Sequence, residues 1–203
     1  MNTGHLRNLT PQAGLVSRED RERTQSHKGA VLWLTGLSGA GKSTLAHALE
    51  QRLHQGGCRT YVLDGDNVRD GLCSDLGFSL EHRSENIRRV GEAAKLFMEA
   101  GILVITAFIS PLRKDREAVR AQFAPGDFLE IYCAAPLDVC ERRDVKGLYR
   151  RARAGELLEF TGISSPYESP GAPEHVAETG ARPLDQCVEG IVGMLKARAI
   201  LFP

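Results

Sequence analysis

Residues Gly36-Leu37-Ser38-Gly39-Ala40-Gly41-Lys42-Ser43, followed by Thr44, fit the pattern GxxxxGK[ST] in full. Glycines at these positions let a loop wrap backbone N–H groups around phosphate oxygens, and a helix opening behind it presents its positive end to them. In such a loop Lys42 reaches the β- and γ-phosphates of a nucleotide and Ser43 binds Mg²⁺. A Gly-rich turn that merely joins a strand to a helix is the bland alternative, and the complete pattern in the right context argues against it.

A second cluster follows at 61–72, YVLDGDNVRDGL, where Asp64 and Asp66 stand directly after an apolar run. Asp, Gly and Asn are common turn residues, so a solvated turn is one reading. The stretch ILVITAF lacks the terminal carboxylate expected of a standard magnesium-binding strand, and Asp64 and Asp66 can supply what is missing. One would hold magnesium through water while the other accepts the proton of an acceptor hydroxyl; the sequence does not divide the two roles. No NKxD guanine-reading motif is present, which disfavours a GTPase.

These residues need a scaffold that brings strand ends together. Apolar β-rich runs alternate with helix-period segments, the pattern of an α/β fold with a parallel sheet and crossover helices. Strands are expected at Ala30–Thr35, Arg59–Leu63, Ile102–Phe108 and Phe128–Cys133, with a weak one near His175–Glu178. Helices are expected from about Lys42 to Gln55, Arg83 to Ala100 and Arg113 to Gln122, then from Pro136, and finally from Pro183. In a parallel sheet the carboxyl ends of strands face one ligand crevice, so Asp64 and Asp66 should lie at the edge that carries the phosphate loop.

Residues 144–172 read differently, basic at first and then rich in Gly, Pro and Ser, as befits a lid over a site or a segment without regular structure. Residues 141–153 hold six basic and two acidic side chains. In a chain whose 26 Lys and Arg balance 26 Asp and Glu, that is a local anion-facing excess, although an exposed basic helix would look the same. Zero net charge removes any whole-chain attraction to nucleic acid.

At 203 residues a single domain is expected, with residues 1–28 as an N-terminal arm and 29–203 as the domain that carries the phosphate loop. The arm has a helix start at Ser17-Arg-Glu-Asp20 and no signal-peptide core. Five cysteines without a CxxC pair argue against a disulfide framework or structural zinc, and imply a reducing, cytoplasmic compartment. The longest apolar run, residues 102–109, is too short to span a bilayer.

The motifs TGLSGAGKST, LDGDNVRDGL, RSENIRRVGE, FISPLR, RDVKGLYRRARAGEL, FTGI and PYESP together resemble adenylylsulfate kinases, which phosphorylate the 3′-hydroxyl of adenosine 5′-phosphosulfate. The resemblance runs from about Gly14 to the final helix. It implies a P-loop NTPase three-layer αβα fold with a mobile basic lid, ATP as phosphoryl donor, Mg²⁺, a homodimer and a functional association with ATP sulfurylase. It further implies that Arg69, Arg83 and Asn86 bind the acceptor, the two arginines meeting its phosphosulfate. Phe78 and Phe160 would sandwich its adenine, Ile109, Ser110 and Pro111 would line its site, and Lys146 would reach the phosphates from the lid. For the two phenylalanines plain core packing is the alternative. Arginine suits a phosphosulfate because its planar fork donates bidentately.

Overall fold

The computed structural model describes residues 14–25 and 27–202. Five strands, β1 (Ala30–Thr35), β2 (Thr60–Asp64), β3 (Leu103–Ala107), β4 (Phe128–Cys133) and β5 (His175–Ala177), form one sheet in the order β2-β3-β1-β4-β5. Every strand pairing is parallel. The helices are α1 (Arg18–Glu22), α2 (Lys42–Gln55), α3 (Gly65–Asp70), α4 (Leu80–Glu99), α5 (Arg113–Arg120), α6 (Leu137–Arg143), α7 (Leu148–Arg153) and α8 (Leu184–Ala197).

The sheet is covered on both faces, which is why β1 is apolar at every position but its last. Leu32 and Leu34 of β1 pack with Leu45, Leu49 and Leu53 of α2 and with Ile191 and Leu195 of α8. Val31 and Trp33 point the other way, to Ile87, Val90 and Ala94 of α4 and Val119 of α5. The result is a three-layer αβα sandwich. Helices α4 and α5 approach closely because residue 91 is glycine; a Cβ there would sit 2.8 Å from Val119 Cγ1.

Strands expected at 30–35 and 128–133 have those bounds, and the others shift by a residue or two, as element ends do. Pro136 caps α6 rather than occupying its first turn. Two short helices were not expected. One is α3, which begins where the DGD stretch suggests a turn, because the Asp64 side chain accepts from Asp66 N and serves as an N-cap. The other is α7, inside the 144–172 segment, where both Asp144 carboxylate oxygens accept from the first-turn N–H groups of Tyr149 and Arg150.

The expected helix start at Ser17 is present as a capping box, with Ser17 Oγ accepting from Asp20 N and Asp20 Oδ2 accepting from Ser17 N. Helix α1 rests on the body through Arg18, which forks onto Asp127 and donates to Gly29 O. Residues 1–13 of the expected arm lie outside the described residues. No described helix is long and apolar enough to cross a membrane.

Candidate functional site

Because all strands run the same way, their carboxyl ends deliver four segments to one edge. Strand β1 ends at Thr35 and feeds the loop 36–41, β2 ends at Asp64, β3 leads into 109–111, and β4 leads into α6. The loop turns tightly into α2 with Gly39 at φ +72° and Gly41 at φ +88°. A Cβ at Gly39 would sit 3.0 Å from Cys140 O as well as straining a left-handed backbone.

Lys42 is buried, and its Nζ donates to Gly36 O at 2.9 Å and Leu37 O at 2.7 Å, so the loop curls around its own ammonium. Burial pushes the Lys42 pKa down to about 8, partly offset by attraction to Asp64. Ser43 Oγ donates to Asp64 Oδ2 at 2.6 Å. This bond joins the phosphate loop to the end of β2, the juxtaposition that the sequence required. Asp64 is buried and engaged at both oxygens, by Ser43 and by Asp66 N. Asp66 projects from the first turn of α3, largely exposed, and pairs with Lys146 on the α6–α7 connection.

The donor set suits a hard cation. A serine hydroxyl and a carboxylate at hydrogen-bond distance are oxygen ligands of the kind Mg²⁺ takes alongside phosphates and waters. Among the described residues there is no cluster of three or more His, Cys, Asp or Glu that could hold a metal by protein ligands alone. A site completed by phosphate fits that arrangement.

The residues expected on the acceptor side converge through Arg83. From α4, its guanidinium donates to Phe78 O (2.7 Å), Thr161 Oγ1 (2.9 Å) and Glu159 O (2.8 Å). One side chain thus draws together Phe78 and the two neighbours of Phe160. The Phe78 ring is exposed and lies 4.5 Å from the Arg69 guanidinium, which also donates to Leu76 O and Gly77 O. Phe160 is half-buried and meets Tyr149 edge-on at 5.0 Å. Burial pulls both guanidinium pKa values below the ordinary one. Asn86 is buried with its Oδ1 unpartnered, an acceptor still available to a bound hydroxyl or N–H.

Ser110 differs from the simplest expectation. It is 2% exposed, and its hydroxyl accepts from Trp33 Nε1 at 3.2 Å. Its backbone holds φ +40°, a left-handed strain in a non-glycine residue. Ile109, half-buried beside it, offers its carbonyl to Thr35 Oγ1 at 2.7 Å. Thr35 has one proton, so Tyr167 must donate to Thr35 Oγ1 across their 3.1 Å contact. A cleft of about 500 Å³ opens between Leu37, Leu137 and residues 162–167.

Thr35, Arg116, Tyr149 and Tyr167 were not singled out from the sequence. Tyr149 donates to Ser38 O of the phosphate loop at 2.9 Å, linking α7 to it. Their signal was present only as membership in the motifs TGLSGAGKST, KGLYRRARAGEL and PYESP and in a charged helix; the contacts that make them matter join different segments of the chain.

Residues 28–178 match the family model for adenylylsulphate kinase. The chain is 56% identical over 196 residues to an adenylyl-sulfate kinase of Acaryochloris marina, covering 97% of this chain and 96% of the relative. A probable adenylyl-sulfate kinase of Bacillus subtilis is 50% identical, with 97% and 99% covered. Among solved structures, the Mycobacterium tuberculosis APS kinase in complex with AMPPNP and APS superposes with a TM-score of 0.80 at 46% identity, covering 84% of this chain and 99% of that one. A gluconokinase from Sinorhizobium meliloti, at 18% identity and a TM-score of 0.58, shares the fold.

Proposed function

Since the chain belongs to the adenylylsulfate kinase family, and is an ATP-dependent kinase that phosphorylates the 3′-hydroxyl of adenosine 5′-phosphosulfate, we propose how its residues divide that work. The reading rests above all on the 2.6 Å hydrogen bond from Ser43 to Asp64, which joins the phosphate loop to the carboxyl end of β2.

The backbone of Gly36–Thr44, with the amino end of α2, holds the terminal phosphates of ATP, and Lys42 moves from the carbonyls of Gly36 and Leu37 to the phosphate oxygens. Ser43 and Asp64 would hold Mg²⁺, which would neutralise charge on the phosphates. With both Asp64 oxygens engaged, Asp66 is the carboxylate left to accept the proton of the acceptor hydroxyl. Lys146, now paired with Asp66, turns to the transferring phosphoryl group once nucleotide is present, which frees Asp66 for its role.

On the acceptor side, Arg69 and Arg83 bind the phosphosulfate. Phe78 and Phe160 enclose the adenine, Asn86 supplies its unpartnered carbonyl, and Ile109 and Ser110 line the site, Ser110 through its backbone. Transfer then depends on in-line positioning and charge stabilisation rather than on a covalent intermediate. Residues 144–172 act as the lid, 29–203 as the kinase domain, and residues up to 28 as an arm. The protein works as a cytoplasmic homodimer beside an ATP sulfurylase. The five cysteines, all buried, are in keeping with that compartment, and an APS kinase of Thiobacillus denitrificans that is 36% identical is hexameric.

A coupled assay tests the acceptor. ADP should form only when ATP, Mg²⁺ and adenosine 5′-phosphosulfate are all present; comparable turnover with gluconate or a nucleoside monophosphate would overturn it.

A further inference from the structure

Arg116 sits on the charged helix α5, where Arg113, Lys114 and Glu117 are wholly or partly exposed, yet it is 1% exposed itself. A buried guanidinium must find acceptors for its fork of N–H groups. Arg116 finds three on three different segments: Glu130 Oε1 on β4 from Nε (2.6 Å), Ser110 O from Nη1 (2.6 Å) and Glu168 O from Nη2 (2.7 Å). Only the first is a charge partner.

The other two are carbonyls of the loop 109–111 and of the carboxyl-terminal part of the 144–172 segment. The same two stretches are joined again by Glu168 N donating to Pro111 O at 2.9 Å, and by the relay from Tyr167 through Thr35 to the carbonyl of Ile109. Glu130 is also held by Arg120, which forks onto Glu174. Ser110, at φ +40° between these contacts, keeps a conformation that persists only when its surroundings over-determine it.

We infer that Arg116 is a positioning residue for the acceptor: its guanidinium joins the loop Ile109–Pro111 to the segment Tyr167–Ser169 as one body, so that acceptor affinity depends on a side chain that does not touch substrate. The inference rests on the assignment of the 109–111 loop to the acceptor. A residue serving only as a core ion pair would need charge alone; one serving as a three-way clamp needs the planar fork, which lysine lacks.

Arg116→Lys separates these roles, because it keeps the charge beside Glu130 and cannot span both carbonyls. The expected result is an acceptor KM raised roughly tenfold, as for one lost charge-assisted hydrogen bond, with ATP KM within about twofold. Hydrogen exchange at the Glu168 amide should quicken in the same variant. Tyr167→Phe provides a milder arm should Arg116→Lys not fold, since it removes the hydroxyl bond to Thr35 while keeping the ring that stacks on Tyr132; acceptor KM should again rise and ATP KM hold. Equal shifts in both KM values, or an unchanged acceptor KM in the folded variants, would overturn the inference. Arg83→Ala measured alongside distinguishes the causes. If it raises acceptor KM while Arg116→Lys and Tyr167→Phe do not, the clamp alone fails; if it too is silent, the acceptor assignment fails with it.

Discussion

Lys146 and Asp66 form an ion pair across 80 residues of sequence, joining the α6–α7 connection to the first turn of α3. Both side chains are more than half exposed, so the pair is a weak and salt-screened latch rather than a structural bond. That suits residues with other partners during catalysis. Asp66→Asn should lower kcat by roughly 10²–10⁴-fold with little change in either KM, the range expected for a lost general base. Lys146→Ala should also lower kcat, by about 10²–10³-fold. Steady-state kinetics decide this, and a kcat within a few-fold of the parent for Asp66→Asn would remove Asp66 from the proton transfer.

Asp64 has two partners, the Ser43 hydroxyl and the amino end of α3. Asparagine caps a helix about as well as aspartate, so Asp64→Asn should fold normally while losing its charge toward the cation. The Mg²⁺ concentration for half-maximal rate should rise by about 10–100-fold. A magnesium titration of initial rate checks this, and an unshifted curve would move the metal role elsewhere.

Arg83 spends its three bonds on Phe78, Glu159 and Thr161, which places it between the two rings assigned to adenine and beside the lid. Arg83→Ala should raise acceptor KM by about 10–100-fold through lost charge-assisted bonds, leaving ATP KM nearly unchanged. If ATP KM alone moved, the acceptor pocket would be misplaced.

His27 is fully buried, with Nδ1 facing Lys28 O at 2.9 Å and Nε2 accepting from Arg59 N at 2.9 Å. These partners require the neutral ring with its proton on Nδ1, and burial holds its pKa below the ordinary 6.5. A depressed histidine pKa means that the unfolded chain binds the proton more readily. The stabilisation is therefore complete above about pH 6.5 and is lost as pH falls through that value toward the folded one. Burial lowers the His175 pKa in the same direction. Denaturant unfolding between pH 7 and 5 should show stability declining by at most about 1.4 kcal/mol per pH unit for each extra proton bound. His27→Gln should flatten that slope, and a variant with the parent's slope would show that the ring does not carry it.

The layers of the fold were legible because apolar periodicity follows from burial. A strand covered on both faces must be apolar throughout, as β1 is, and a helix covered on one face must repeat at three and four residues, as α4 does. The phosphate loop was legible for a related reason: its chemistry is done by eight consecutive residues, Gly36–Ser43, so spacing alone carries the signal. Three of the residues proposed for the acceptor, Arg69, Arg83 and Asn86, also lie in short runs, LDGDNVRDGL and RSENIRRVGE.

Tertiary structure alone decided the rest. Asp64 and Asp66 are indistinguishable as letters, and only the 2.6 Å bond from Ser43 and the pairing with Lys146 give them different surroundings. The same holds for Ser110, whose hydroxyl turns out to be held by Trp33, and for Arg116, which reads as one more charge on a polar helix until its three acceptors from β4, the 109–111 loop and Glu168 surround it. Local pattern specifies which way a side chain points from its own element, because that depends on helix or strand period. What it meets there depends on crossover connections that bring residues such as Asp66 and Lys146, 80 positions apart, into hydrogen-bond distance, and no period in the chain encodes that.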